Sequence, residues 1–229
     1  MIRNVFIDLD DTLLDFCRAE REALSRTLMY FGYEPKCEIL DRYNVINAQF
    51  WKRLETGELN RAEIKRGRYK QLAEEFSIKL TPDELNFQYE IELAKGHYFL
   101  DGAEWLIDTL RSEGYRLYLA TNGTAHVQKS RIASAGFADS FDGIFISQEL
   151  GFYKPDKHYF EACFAQISDF CKAQTVMVGD SLSSDIKGGI NAGIATVWYN
   201  PLNKKNSGGI KPDYEIDSLY SLPELLKKI

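Results

Sequence analysis

Four cysteines and three histidines are all that this 229-residue chain offers as soft or imidazole metal ligands. Cys17, Cys37, Cys163 and Cys171 form no C-x-x-C pair, which argues against a zinc site or a disulfide frame; they read as small core residues in a reducing compartment. His97, His126 and His158 are scattered, without metal-ligand spacing between any two. Also lacking is an apolar run near the ~20 residues of a membrane span. The start, MIRNVFI, runs straight into strand-like sequence without the charged-then-apolar layout of a secretory leader. The expected location is therefore cytoplasmic, with no membrane partner. There is no excess of positive charge: 28 Lys and Arg face 34 Asp and Glu, a net charge of −6. A surface of that sign repels a phosphate backbone and argues against a nucleic-acid polymer, though not against a small phosphate held by local cations. Repeats and low-complexity segments are missing, and nothing specifies an oligomeric state. Hydrophobic residues at 45% and charged residues at 27% are ordinary for a globular protein. The length allows one large domain, or a core domain carrying a smaller insertion.

Five short β-rich runs are present: NVFID (4–8), RLYLAT (116–121), GIFIS (143–147), TVMVGD (175–180) and IATVWY (194–199). Near-continuous apolar runs of this kind suit parallel strands covered on both faces. Helical patterns separate them over 103–114, 125–136, 156–170 and 183–192, and PELLKKI reads as a terminal helix. Alternation of strand and helix predicts an α/β fold with a doubly wound, Rossmann-like parallel sheet, in which ligands bind at the carboxyl ends of the strands. One interval breaks the alternation. Between Thr12 and the second strand the pattern is helical throughout, with Phe16, Ala19, Ala23, Leu24 and Leu28 at helical spacing before Gly32. The expected division is a core of residues 1–14 and 101–229 with an all-helical domain inserted at 15–100. Residues 201–212, PLNKKNSGGIKP, read as a surface loop.

The first strand runs into a crowd of acids, DLDDT, where Asp8, Asp10 and Asp11 repel one another. Read blandly, one acid caps a turn and the others are solvated. Read as chemistry, they are part of a site for a hard cation such as Mg²⁺, which takes carboxylate, water and phosphate oxygens and would relieve the repulsion. That reading needs another carboxylate at a neighbouring strand end, and GDSLSSD supplies Asp180 straight after the fourth strand, with Asp185 five residues on. Asp180 or Ser181 can equally cap the following helix. The second strand ends in Thr121, Asn122 and Gly123, a hydroxyl and backbone N–H groups ahead of a helix, which make either an anion site or an ordinary turn and cap. Lys154 stands before Pro155 just ahead of a helix; alone it would be solvated surface, and its weight comes from the other motifs in whose company it occurs.

DLDDT, ATNG, the Lys154-Pro155 pair and GDSLSSD, in that order, resemble the motifs of the haloacid dehalogenase (HAD) superfamily, whose type 1 cap is a helical insertion after the first strand. The resemblance covers the whole chain. It implies a phosphoric monoester hydrolase in which Asp8 is the nucleophile, forming an aspartyl-phosphate, and Asp10 is the general acid and then the base for hydrolysis. It implies Mg²⁺ held by the side chains of Asp8 and Asp180 and the backbone carbonyl of Asp10. Asp185 supports that site or orients Lys154; Thr121 and the Asn122 N–H hold phosphoryl oxygens, and Lys154 neutralises charge between nucleophile and phosphate. Dehalogenases lack the second acid because halide leaves without a proton, so Asp10 implies an O–P substrate. Phosphonate-cleaving relatives use a cap lysine, for which Lys52, Lys65 and Lys70 are candidates by type only.

Within the superfamily the chain resembles the YjjG-like pyrimidine nucleotide 5′-nucleotidases, through TNG followed by His126 to Arg131, SQELGFYKP, SDIKGGINAGIATVW, and in the insertion Asn47 with Trp51, Gly57, and Arg68 with Tyr69. This implies a small-molecule phosphate, a nucleoside 5′-monophosphate, as substrate, with Asn47, Trp51 and Arg68 as candidate specificity residues. Against that, an aromatic such as Trp51 more often packs the insertion's core, and Arg68 more often lies on its surface. A sugar phosphate, phosphoglycolate or a phosphomutase reaction remain alternatives, since the motifs report the phosphate end alone. A phospho-acceptor switch of the receiver type also uses acids, Mg²⁺, a hydroxyl and a lysine, but there the acceptor lies on a later strand than the acid pair.

Overall fold

Each expected strand run forms a strand in the structure, a computed structural model that describes residues 1–206 and 208–229. They are β1 (Asn4–Ile7), β2 (Arg116–Thr121), β3 (Gly143–Ile146), β4 (Thr175–Gly179) and β5 (Ala195–Tyr199). A sixth, β6 (Tyr214–Ile216), was not expected: it has three residues, two of them exposed, so only Ile216 carries an apolar signal. Parallel pairing with β5, Val197 opposite Tyr214 and Tyr199 opposite Ile216, is what makes it a strand. Ser207, inside the stretch expected as a surface loop, lies outside the described residues. The rest of 201–212 has no regular element and is mostly exposed.

The chain divides into two compact units, Met1–Asp15 with Phe99–Ile229, and Phe16–Tyr98. In the first, the strands form one parallel sheet in the order β3-β2-β1-β4-β5-β6. The chain builds outward from β1 to one side, then returns to build outward on the other, so the order reverses beside β1. Such a switch point leaves a crevice at the strand ends. The register decides which residues share it. Ile7 is level with Leu119 and with Val178, so Asp8, Thr121 and Asp180 emerge at one edge of the sheet.

Alternate residues of each strand feed two cores, as period-two geometry requires. Val5, Ile7, Leu117, Leu119, Val176 and Val178 pack on one face, with helices α5 (Ala103–Ser112), α6 (Ala125–Ala135) and α10 (Leu222–Leu226). Phe6, Tyr118, Phe145 and Met177 pack on the other, with α8 (Lys157–Phe164). On α5 the buried Leu106, Ile107 and Leu110 recur at helical spacing. Burial of each such side chain contributes roughly 1.5–3 kcal/mol. Two short helices complete the unit, α7 (Ser147–Leu150) and α9 (Lys187–Ala192).

The expected 156–170 helix stops at Phe164, because its last turns tighten to i→i+3 bonds, Gln166 N–H to Cys163 O and Ile167 N–H to Phe164 O. The chain then folds back and stacks Phe170 on Phe164, ring centroids 4.0 Å apart. The expected 183–192 helix instead opens with a wide π turn over Leu182–Ile186, and PELLKKI is helical only as far as Leu226.

The second unit has four helices, α1 (Phe16–Tyr30), α2 (Cys37–Glu55), α3 (Arg61–Phe76) and α4 (Pro82–Leu93). Capping boxes start two of them, Asn60 with Glu63 and Thr81 with Glu84, each satisfying backbone N–H groups that a helix start leaves open. Its interior holds Tyr43, Tyr69 and Tyr89, with the Tyr43 hydroxyl donating to Tyr69 Oη at 2.8 Å. The cysteine expectation needs correction. Cys163 is buried in the apolar face of α8, but Cys17, Cys37 and Cys171 are exposed, two on helix first turns and one in the turn before β4. No helix among the described residues is long and apolar enough to cross a membrane.

Candidate active site

At the switch point the buried Lys154 ammonium uses all three of its N–H groups. It donates to Asp8 Oδ1, Asp185 Oδ1 and the Ala120 carbonyl, each at 2.6 Å. Burial opposes the lysine's charge, but Asp185 and Asp8 outweigh it and hold its pKa above the ordinary value. Burial likewise opposes the Asp8 charge; Lys154 pulls the other way, Asp185 and Asp10 reinforce the burial, and the carboxyl is pushed well up.

Each group is held by a local device. The Asn122 side chain brackets the Lys154 backbone, Nδ2 donating to Lys154 O at 2.8 Å and Oδ1 accepting from Lys154 N–H at 2.9 Å. Asn122 Nδ2 also reaches Ser184 Oγ at 3.2 Å. Asp185 folds back over β4, its Oδ2 accepting from the Ser181 N–H at 3.0 Å. Only glycine permits this at 179, where a Cβ would sit 2.3 Å from Asp185 Oδ2. The Asp180 N–H donates to the buried Thr12 hydroxyl oxygen, and Trp198 Nε1 donates to Asp180 O at 2.8 Å. Burial pushes the Asp180 carboxyl well up, as do Asp185, Asp11 and Asp8; Lys204, 3.8 Å away, opposes them. Carboxylate oxygens of Asp8, Asp180 and Asp185 lie within 4.8 Å of one another.

Asp10 turns toward α6. Its Oδ2 accepts from Gln128 Nε2 at 2.7 Å and its Oδ1 from Arg131 Nη1. Gln128 Nε2 also donates to Thr121 Oγ1 at 2.8 Å, and the Gly123 N–H donates to the same oxygen at 3.2 Å. A hydroxyl that accepts twice has its own proton left to donate, as a phosphoryl oxygen would require.

The structure thus gathers Asp8, Asp10, Thr121, Asn122, Lys154, Asp180 and Asp185. Asn47, Trp51 and Arg68 belong to the helical unit. Asn47 and Arg68 are buried there and bonded to each other, Arg68 Nη1 donating to Asn47 Oδ1 at 2.7 Å, with Asn47 Nδ2 donating to Glu20. The surface position considered for Arg68 is therefore corrected: its charge is buried among carboxamides and the rings of Tyr69 and Tyr89. Trp51 is half-buried, with the Arg61 guanidinium 5.9 Å from its ring centre. Of the three lysines considered for Schiff-base chemistry, Lys65 pairs with Glu90 at 2.7 Å, while Lys52 and Lys70 are exposed.

Sequence reasoning missed Gln128 and Arg131 as parts of the site, and Thr12 as the acceptor for Asp180. The available signal was a pair of polar residues at i, i+3, hence on one face of the helix that follows the strand-end threonine.

Lys154→Met leaves Asp8 and Asp185 buried together without their cation. Stranding a buried charge costs about 3–5 kcal/mol. The expected result, in a metal-free denaturant titration, is a stability loss of about that size. A loss under about 1 kcal/mol would mean that the lysine does not hold these carboxylates as charges.

A family model for haloacid dehalogenase-like hydrolases matches residues 2–193. Over 224 residues the chain is 38% identical to pyrimidine 5′-nucleotidase PynA of Streptococcus pneumoniae, covering 98% of this chain and 94% of that protein. It is 31% identical to pyrimidine 5′-nucleotidase YjjG of Escherichia coli, covering 98% of this chain and 97% of that one. It superposes on the magnesium-bound crystal structure of YfnB from Bacillus subtilis with a TM-score of 0.94 at 37% identity, covering 98% of both chains.

Proposed function

We propose, from the premise that this chain belongs to the haloacid dehalogenase-like hydrolase family, that it is a Mg²⁺-dependent phosphomonoesterase acting on pyrimidine nucleoside 5′-monophosphates through an aspartyl-phosphate. The observation that carries the reaction type is the Lys154 ammonium shared by Asp8 and Asp185 beside Asp180, with the Thr121 hydroxyl one strand away. Phosphoryl transfer requires little covalent chemistry from a protein beyond aligning the reacting oxygens and screening the charge spread over the phosphoryl group.

In this scheme an Asp8 carboxylate oxygen attacks phosphorus. The bond from phosphorus to the ester oxygen breaks as Asp10 gives that oxygen a proton, and the alcohol leaves neutral. Asp10 then takes a proton from water as the water oxygen bonds phosphorus. The bond to Asp8 breaks with its electrons returning to the carboxylate, and inorganic phosphate departs. Thr121 donates to a phosphoryl oxygen, and Lys154 keeps the nucleophile and the incoming phosphate from repelling each other.

The donor set fits a hard dication, because the gathered ligand atoms are all oxygens and all acidic. Asp185 already has both oxygens engaged, by Lys154 and by the Ser181 N–H. The ligands that the family resemblance implies are the Asp8 and Asp180 carboxylates and the Asp10 carbonyl, with Asp185 as support. Bound there, Mg²⁺ would supply positive charge against the phosphoryl oxygens and lift the repulsion among the acids.

The substrate reading rests on the relatives PynA and YjjG, both pyrimidine 5′-nucleotidases. Its test is a panel of phosphomonoesters under kcat/KM conditions. Pyrimidine nucleoside 5′-monophosphates are expected to lead sugar phosphates and phosphoglycolate by about tenfold or more, a difference of about 1.4 kcal/mol in transition-state binding. A panel led by a sugar phosphate rejects the nucleotide and leaves the phosphatase.

A further inference from the structure

Asp10 has both carboxylate oxygens engaged by two side chains of α6 that are themselves almost wholly buried, Gln128 and Arg131. The two are bonded to each other, Arg131 Nη1 donating to Gln128 Oε1 at 2.9 Å. Gln128 Nε2 meanwhile bridges Asp10 and the Thr121 hydroxyl, at 2.7 and 2.8 Å. The bridge is tight enough that a Cβ at Gly123 would lie 2.3 Å from Gln128 Nε2. A buried guanidinium is a poor way to fill the inner face of a helix, since apolar residues of similar volume do so without desolvating a charge. What the pair supplies is geometry. Two donors from one rigid helix fix the rotation of a carboxylate whose own residue lies in a turn, followed by Asp11 in the left-handed region at φ 56°.

We propose that Gln128 and Arg131 are positioning residues for Asp10. They hold its carboxyl in the orientation that delivers a proton to the leaving oxygen, and through Thr121 they tie that orientation to the seat of the phosphate. This rests on the acid–base role given to Asp10 above. Both hold the Asp10 carboxyl, and Gln128 holds the Thr121 hydroxyl as well; in this scheme neither contacts the leaving oxygen, so their effect on its departure passes through Asp10 and has its signature. An aryl phosphate such as p-nitrophenyl phosphate expels a stable anion and needs little help from an acid. An alkyl phosphate expels an alkoxide unless it is protonated. Because kcat/KM reports the steps up to departure of the leaving group, the ratio of aryl to alkyl kcat/KM isolates the acid's contribution.

The experiment measures that ratio for p-nitrophenyl phosphate against the alkyl phosphate that leads the substrate panel, in Asp10→Asn, Gln128→Leu, Arg131→Met and Arg131→Lys. The expected result is a ratio raised by about 10–100-fold in Asp10→Asn, Arg131→Met and Gln128→Leu, with a smaller rise in Arg131→Lys. Adding Arg131→Met or Gln128→Leu to Asp10→Asn is expected to raise the ratio no further, since residues acting through one group are not additive. If Asp10→Asn raises the ratio and the α6 variants do not, the positioning role is overturned while the acid stands. If Asp10→Asn leaves the ratio unchanged, the acid role falls and takes this proposal with it. Should Arg131→Met fail to fold, Gln128→Leu, close to glutamine in volume, decides the question alone.

Discussion

Asp8→Asn is expected to lower kcat on the preferred phosphomonoester by about 10⁴-fold or more, the scale on which removing a covalent nucleophile acts. An amide oxygen carries no charge and is a poor nucleophile toward phosphorus. The fold is expected to survive. Burial, Asp185 and Asp10 all disfavour the Asp8 charge, with Lys154 the opposing influence, so a neutral side chain of the same shape removes an electrostatic cost along with a partner. Thermal unfolding checks this, and an unfolding midpoint near that of the parent attributes the lost activity to chemistry. Acid-quenched turnover with labelled substrate gives a second readout, in which the parent enzyme carries covalent phosphate and Asp8→Asn carries none. A variant within tenfold of the parent would remove the covalent scheme.

Chelation of divalent cations is expected to bring turnover to background, and added Mg²⁺ to restore it. The reason is electrostatic. Asp8, Asp180 and Asp185 present carboxylate oxygens within 4.8 Å of one another, and a phosphate dianion brings further negative charge to the same place. Lys154 alone is committed to Asp8, Asp185 and the Ala120 carbonyl, and has no donor left for Asp180. Binding is also readable without activity. An ion that binds only the folded chain stabilises it by about 2.7 kcal/mol at a hundred times its dissociation constant, so Mg²⁺ should raise the unfolding midpoint. Asp180→Asn is expected to lose most of that shift. Activity that persists in strong chelator, together with a midpoint indifferent to Mg²⁺, would remove the cation from the mechanism.

Much of the core unit was legible because its signals are local. The five apolar runs are strands, most of their residues buried, and the acids that follow β1 and β4 fall at the sheet edge, where the register puts them. What was not legible has a physical pattern. β6 exists by virtue of its neighbour β5, so three mostly exposed residues carry too little of it to be seen. The helix after Lys154 ends early, its last turns tightening before Phe170 folds back onto Phe164, a contact that helical periodicity does not encode. Asn122 carries, besides the backbone N–H expected to face phosphate, a side chain that brackets the Lys154 backbone, a contact its sequence neighbourhood does not show. Asn47 and Arg68, candidate substrate contacts by their neighbourhood in the sequence, are bonded to each other in the interior of the helical unit.

Residue type and order were sufficient to determine a parallel α/β core, a helical stretch after the first strand, and four separated polar motifs at strand and loop ends. Charge, periodicity and spacing along the chain carry that much, because each is a property of neighbouring residues. The tertiary structure alone decided how the groups are held: Asp8 and Asp185 on one ammonium, Asp185 over a glycine, and Asp10 on a buried fork from α6. Those contacts join residues up to 146 positions apart, as Lys154 and Asp8 are. They depend on strand register and on the direction of side chains, neither of which is written in any single stretch of the chain.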